Sequence, residues 1–143
     1  MTQRTYQSGL LFTQAHKAVR VHIYRILEQY GLNPSYWALL SAAVNSEEGI
    51  RLASVARLMD VKAPLITVLA DDLLEMGLIN RVPHHTDKRA KLLVATAKGK
   101  KLSTEIESLL SNEISLLMDG VTPADAQAFQ RTLEAIISNA RDE

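Results

Sequence analysis

The run Leu52-Ala53-Ser54-Val55-Ala56-Arg57-Leu58-Met59-Asp60-Val61, followed after Lys62 by Ala63-Pro64-Leu65-Ile66-Thr67-Val68-Leu69, decides the fold. Its first part predicts a short helix at about Ala53 to Met59, with alanine at the tight contact and Val61 as an apolar plug closing the turn. The second helix opens at Ala63-Pro64, where a first-turn amide has no intrahelical partner and proline is tolerated. It runs to Met76 before Gly77 closes it, with Ile66, Leu69, Leu73 and Met76 as its inward stripe. Two helices joined this tightly have the layout of a helix-turn-helix, whose second helix protrudes far enough to enter a major groove. Any αα-hairpin shares the spacing.

After Gly77 come two short segments rich in Val, Leu and Ile, Leu78 to Pro83 and Ala90 to Ala95, separated by His84-His85-Thr86-Asp87-Lys88-Arg89. They predict a two-stranded hairpin, placed like a wing beside the helix-turn-helix. Upstream, Leu11, Ala15, Val19, Ile23, Ile26 and Tyr30 mark one face of a long helix that Gly31 stops. Asn33-Pro34 starts a second helix with Trp37, Leu40 and Val44 as its buried stripe. Downstream, Thr96 caps a helix carrying Leu102, Ile106, Leu109 and Leu117 that ends near Asp119-Gly120. Thr122-Pro123-Ala124-Asp125 opens a last helix with Phe129, Leu133, Ile136 and Ile137 as its buried face. The fold class is mainly α with a small β-hairpin wing.

With 143 residues, 47% hydrophobic and 22% charged, the chain reads as one domain spanning 1–143 with enough apolar mass for a core. There is no cysteine, which excludes disulfides, thiolate metal sites and Cys-based sensing and leaves Met59, Met76 and Met118 as the sulfur-bearing groups beside Met1. No basic flank precedes an apolar run at the start, and no stretch approaches a membrane span, so no membrane partner and a cytoplasmic location are expected.

Sixteen basic and sixteen acidic residues cancel over the whole chain, but not locally. Residues 1–50 carry four basic and three acidic groups, residues 51–101 ten and five, and residues 102–143 two and eight, giving +1, +5 and −6. Arg81, Lys88, Arg89, Lys91, Lys98, Lys100 and Lys101 stand on and beside the hairpin against the single acid Asp87. Such a surplus suits a polyanion backbone, from which each neutralised phosphate releases counterions. A solvated basic face explains the charge equally well.

Taken with the helix-turn-helix, the stretches Leu73-Leu74-Glu75-Met76-Gly77-Leu78-Ile79 and Asp87-Lys88-Arg89-Ala90-Lys91-Leu92-Leu93-Val94-Ala95-Thr96-Ala97-Lys98-Gly99 resemble the MarR family of winged helix-turn-helix transcription regulators. Asp-x-Arg, a leucine four residues on, then Thr-x-x-Gly opening a helix is similar to that family's wing signature. The resemblance implies a DNA-binding module at about 34–96 and dimerisation elements at about 5–30 and 97–141, with two copies meeting two half-sites of a pseudo-palindrome. The amphipathic helices at both ends are compatible with a symmetric second copy, and an intramolecular bundle is the other arrangement. By resemblance, Arg89 reaches the minor groove and Asp87 orients it. Lys88 and Lys91 are then phosphate contacts. On the recognition helix, Pro64, Thr67 and Val68 face outward beside Ala63, and Lys62 stands at the entrance for phosphate or guanine edges. Pro64 and Val68 offer only apolar contact, as to a thymine methyl.

The chain departs from its relatives in carrying Asp71, Asp72 and Glu75 on this helix, and Lys62 and Val68 where Ser or Thr and Arg are common. These acids either point toward the protein's own cationic groups or mark an unusual or weak site. The resemblance also implies a small-molecule site, for which Phe12, His16 and Arg20 with Tyr36, Trp37 and Leu40 are the candidates. An aromatic wall beside a cation suits a carboxylate-bearing aromatic compound. Core packing for Phe12 and Trp37 and an ion pair for Arg20 are the plainer readings.

His84-His85-Thr86-Asp87 lacks a third ligand at metal spacing, so a solvated hairpin tip is expected and no metal or cofactor. His16 and His22, six apart, read as ordinary helix or interface histidines. Ser41, Ser54, Ser103 and Ser108 have no nucleophile-elbow glycines, and a non-enzyme is expected. The function implied is a sequence-specific DNA-binding regulator, a homodimeric repressor released from a pseudo-palindromic operator by a small aromatic or carboxylate-bearing ligand. The alternative is a winged-helix interaction module that has lost ordinary DNA binding and contacts a protein partner.

Overall fold

Asn33 begins the second helix as the sequence leads one to expect: its side chain accepts the Tyr36 amide at 3.0 Å, with Pro34 at the first helical position. The computed structural model describes residues 3–140. Its elements are α1 (Gln3–Glu28), α2 (Pro34–Val44), β1 (Ile50–Arg51), α3 (Leu52–Met59), α4 (Ala63–Glu75), β2 (Ile79–Pro83), β3 (Lys91–Ala95), α5 (Ala97–Leu117) and α6 (Pro123–Ala140).

The β element corrects the two-stranded expectation, because it is a three-stranded antiparallel sheet in the order β1-β3-β2. Ile50 faces Leu93 and Arg51 faces Leu92, so the two residues before α3 add a strand to the wing. Gly49 permits this approach. Its φ is +96°, and a Cβ there would lie 2.8 Å from Val94 Cγ1 and 2.9 Å from Leu92 Cβ. Pairing of β2 with β3 runs from Ile79 opposite Ala95 to Pro83 opposite Lys91.

Two left-handed residues close the helices of the helix-turn-helix. Asp60, at φ 52°, ends α3, and the Val61 amide returns to the Ala56 carbonyl at 3.0 Å. Gly77, at φ +74°, ends α4, and the Leu78 amide returns to the Leu73 carbonyl at 3.0 Å. Both are six-to-one closures that place an apolar residue back against the helix, so Val61 and Leu78 are drawn into or against the core.

The chain divides into two compact units, residues 1–113 and 114–143. The first holds the core: Leu27, Leu39, Leu40, Val55, Ile66, Leu73, Leu78, Ile79, Leu93 and Ile106 are fully buried. Within it α1 is tied to α5 by a hydrogen bond between His22 Nδ1 and Glu113 Oε1. Tyr30, just after α1, donates its hydroxyl to Glu105 at 3.0 Å. In the second unit Thr122 caps α6, accepting the Asp125 amide at 3.2 Å. The expected buried face of α6 is corrected: Phe129, Ile136 and Ile137 are each more than half exposed in the single chain. On α1, Leu10, Leu11, Phe12 and Val21 are exposed as well. Periodicity gave each of these helices an apolar face, and among the described residues these side chains remain exposed.

Candidate nucleic-acid interface

The front of α4 is open. Ala63, Pro64, Thr67 and Val68 are exposed, Lys62 is exposed at the N-cap, and Val68 keeps 55% of its surface. Leu65, which the sequence reading passed over, is also 47% exposed. The Thr67 hydroxyl donates to the Ala63 carbonyl one turn back at 3.1 Å. The opposite stripe, Ile66, Leu69, Ala70 and Leu73, is buried, which fixes the rotation of the helix about its axis.

Two of the three acids of α4 have partners on other elements. Asp71 accepts from Arg81 of β2 at 2.5 Å, and Asp72 accepts the Tyr36 hydroxyl of α2 at 2.5 Å. Glu75 is exposed. That hydrogen bond to Asp72, then burial, raises the Tyr36 pKa above its usual 10.0. Arg81 is therefore engaged with the protein itself, and Lys98 likewise: its Nζ donates to the Met76 carbonyl at 2.9 Å, at the C-terminus of α4. The basic surplus free for a partner is smaller than the sequence count and is concentrated at the wing tip.

There, Lys88, Arg89 and Lys91 are exposed. Asp87 accepts the Arg89 amide at 3.1 Å, so it fixes the backbone that carries the arginine. The solvated-tip reading of His84 is corrected: the ring is half-buried and its Nδ1 accepts the Asp87 amide at 3.1 Å and the Thr86 amide at 3.3 Å. Its Nε2 lies 3.2 Å from an Arg51 guanidinium nitrogen, which places the tip beside β1; with Nδ1 accepting, Nε2 carries the ring hydrogen and the two groups are neighbours, not bonded partners. Nothing in the local sequence signals this, since Arg51 and His84 are 33 positions apart.

Wing and recognition helix share one joint. The Thr96 hydroxyl donates to the Gly77 carbonyl at 2.7 Å and accepts the Gly99 amide at 3.0 Å, while the Thr96 amide donates to the Leu78 carbonyl at 3.1 Å. Gly99 lies so close that a Cβ there would stand 2.1 Å from that Leu78 oxygen. The Thr-x-x-Gly motif thus holds the end of α4 against the start of α5.

The candidate ligand residues are dispersed by comparison. Phe12, His16 and Arg20 are exposed along α1, with Arg20 over the Tyr24 ring at 5.5 Å. Tyr36 and Trp37 are half-buried on α2, and Leu40 is fully buried in the core, where a ligand cannot touch it without displacing packing.

Residues 32–91, from just before α2 to the start of β3, match the model of the MarR family. The chain is 21% identical over 141 residues to the HTH-type transcriptional regulator MhqR of Bacillus subtilis, covering 99% of this chain and 97% of that one. Among solved structures it is similar to CouR from Rhodococcus jostii, whose structure is described as bound to p-coumaroyl-CoA. The TM-score is 0.81 at 26% identity, over 90% of each chain. It shares the fold of MepR of S. aureus, solved as a DNA complex, with TM-score 0.78 at 19% identity, over 92% of this chain and 96% of that one.

Proposed function

The chain belongs to the MarR family of transcription regulators, and on that premise we propose that it is a homodimeric repressor that binds a pseudo-palindromic operator and is released by a small aromatic or carboxylate-bearing ligand. The observation that carries the DNA reading is the pairing of an open α4 front with an exposed cationic wing tip, fixed to each other through Thr96, Gly77 and Leu78. Ala63, Pro64, Thr67 and Val68 enter the major groove and Lys62 meets the backbone at its edge. Arg89 enters the adjacent minor groove, favoured there by its negative potential, while Lys88 and Lys91 neutralise phosphates. Asp87 holds the Arg89 main chain. The ligand complex of CouR supports a small-molecule site by likeness, and MepR, solved as a DNA complex, has the same fold.

Dimerisation covers the exposed apolar residues of α1 and, in the second unit, Phe129, Ile136 and Ile137. A ligand held by Phe12, His16, Arg20 and Trp37 acts on DNA binding through Tyr36, because the Tyr36 hydroxyl is bonded to Asp72 of the recognition helix. A phenol or carboxylate that competes for that hydroxyl binds better when the bond is broken, and to that extent shifts α4 from its DNA-binding position. The alternative of a protein-binding module rested on three acids, and two of these are internally partnered.

The test is fluorescence anisotropy of the protein with its own upstream intergenic DNA against a scrambled duplex across a salt series, with Arg89→Ala beside the natural protein. Tight, salt-sensitive binding to the genuine duplex, lost in Arg89→Ala with fold and dimer intact, is expected. Equal or absent binding to both duplexes at low salt, with Arg89→Ala indistinguishable, would refute operator recognition in that region.

A further inference from the structure

We infer that this protein reads its operator half-sites chiefly through thymine methyl groups, by apolar contact from α4, and not through hydrogen bonds to guanine; the inference rests on the DNA-binding reading above and specifies its target. Between Ala63 and Glu75 the helix contains no Arg, Lys, Asn or Gln, the residues that bond guanine or adenine edges bidentately. Its outward surface is Pro64, Leu65, Thr67 and Val68, with Leu65 and Val68 each about half exposed. Thr67 gives its hydroxyl hydrogen to the Ala63 carbonyl, which leaves its methyl and an acceptor lone pair for the groove.

The charge arrangement points the same way. A carboxylate facing the groove would accept from cytosine and repel phosphate; Asp71 is instead paired with Arg81 and Asp72 with Tyr36, and Glu75, unpaired among the described residues, stands in the last turn of the helix, about two turns beyond Thr67 and Val68. The first two turns of the front, from Ala63 to Val68, are uncharged, with Lys62 exposed at the N-cap and the exposed cations Lys88, Arg89 and Lys91 at the wing tip. Exposed apolar surface bordered by phosphate-binding charge is complementary to one feature of B-DNA, the C5 methyl of thymine in the major groove. The flanking cations supply affinity that is blind to sequence, so discrimination falls to the methyl contacts.

The experiment starts from a duplex selected for binding out of a random pool. Thymines under α4 are replaced one at a time by deoxyuridine, which removes the methyl and leaves pairing unchanged. A loss of roughly fourfold in affinity per contacted methyl is expected, the worth of one buried carbon. Placing 5-methylcytosine at a C·G mutant position restores part of the affinity by returning a methyl to the same place in the groove. In Val68→Ala, an exposed substitution that leaves the core untouched, the deoxyuridine penalty shrinks at the contacted position. Replacing guanines by 7-deazaguanine, which removes the N7 acceptor, is expected to have no effect. Sequence-selective binding that ignores deoxyuridine but weakens with 7-deazaguanine overturns this inference and leaves the DNA reading standing. Selection that yields no preferred sequence overturns both.

Discussion

Replacing Gly99 by alanine tests the joint between wing and recognition helix directly. The added Cβ would stand 2.1 Å from the Leu78 carbonyl oxygen, 3.0 Å from its carbon and 3.4 Å from Leu40 Cδ1. Relief requires Leu78 and α5 to part by about 1.4 Å, because ordinary contacts begin near 3.5 Å. Leu78 cannot yield freely: its oxygen accepts the Thr96 amide and its nitrogen donates to the Leu73 carbonyl. Parting the two elements sacrifices the Thr96-to-Leu78 bond and strains the Gly99-to-Thr96 bond, at about 1 kcal/mol each. Overpacking adds about 1–3 kcal/mol, and the better helix propensity of alanine returns about 1 kcal/mol. The expected net destabilisation is about 2–4 kcal/mol, a large share of the stability of a small domain. Urea unfolding followed by circular dichroism, at matched chain concentration because a dimer's stability depends on it, measures the change. An alanine variant with an unchanged or higher midpoint would refute the close approach of α5 to Leu78.

Asp60→Gly relieves a left-handed residue in the turn of the helix-turn-helix and is expected to raise stability by up to about 1 kcal/mol in the same unfolding assay. Thr96→Val removes a donor to Gly77 and an acceptor from Gly99, and is expected to destabilise by about 1–2 kcal/mol. Because Tyr36 has its pKa raised above 10.0, its bond to Asp72 contributes fully below pH 10.0 and is lost as pH climbs through the raised value. An alkaline absorbance titration is expected to show Tyr36 ionising late, and Asp72→Asn to bring it back toward its usual range. Tyr30, raised first by burial and then by its bond to Glu105, is expected to stay late in both proteins. Arg81→Ala frees the Asp71 carboxylate beside the groove and is expected to weaken DNA binding severalfold, with Asp71→Asn restoring it in the double variant, measured by anisotropy.

What the sequence disclosed and what it concealed divide along sequence distance. The helix-turn-helix, the wing strands and the caps at Asn33, Thr96 and Thr122 are written in adjacent residues, and they stand where the local chemistry puts them. Strand β1 has two residues, too few for any period, and exists only because Leu92 and Leu93 lie opposite. The orientation of Asp71 and Asp72 was open for the same reason. Their partners are ten and thirty-six positions away, and only the packing of α2, α4 and β2 brings them near. Arg81 and Lys98 counted as wing charge until the structure showed each engaged with the protein's own atoms. The ligand candidates were legible as residue types but not as a grouping, since Leu40 proves to be core.

The residues that hold the module together and the residues that face outward from α4 are different residues. Ala63, Pro64, Leu65 and Val68 bury none of the core, whereas Thr96, Gly99, Gly77 and the buried stripe of α4 carry the joint. Substitutions on the outward set are therefore expected to leave folding largely unaffected and, on the proposed reading, to act on DNA sequence preference. On that reading, a lineage carrying this scaffold could move from one DNA sequence to another by single replacements at the front, because the residues that change are not the residues that hold the fold.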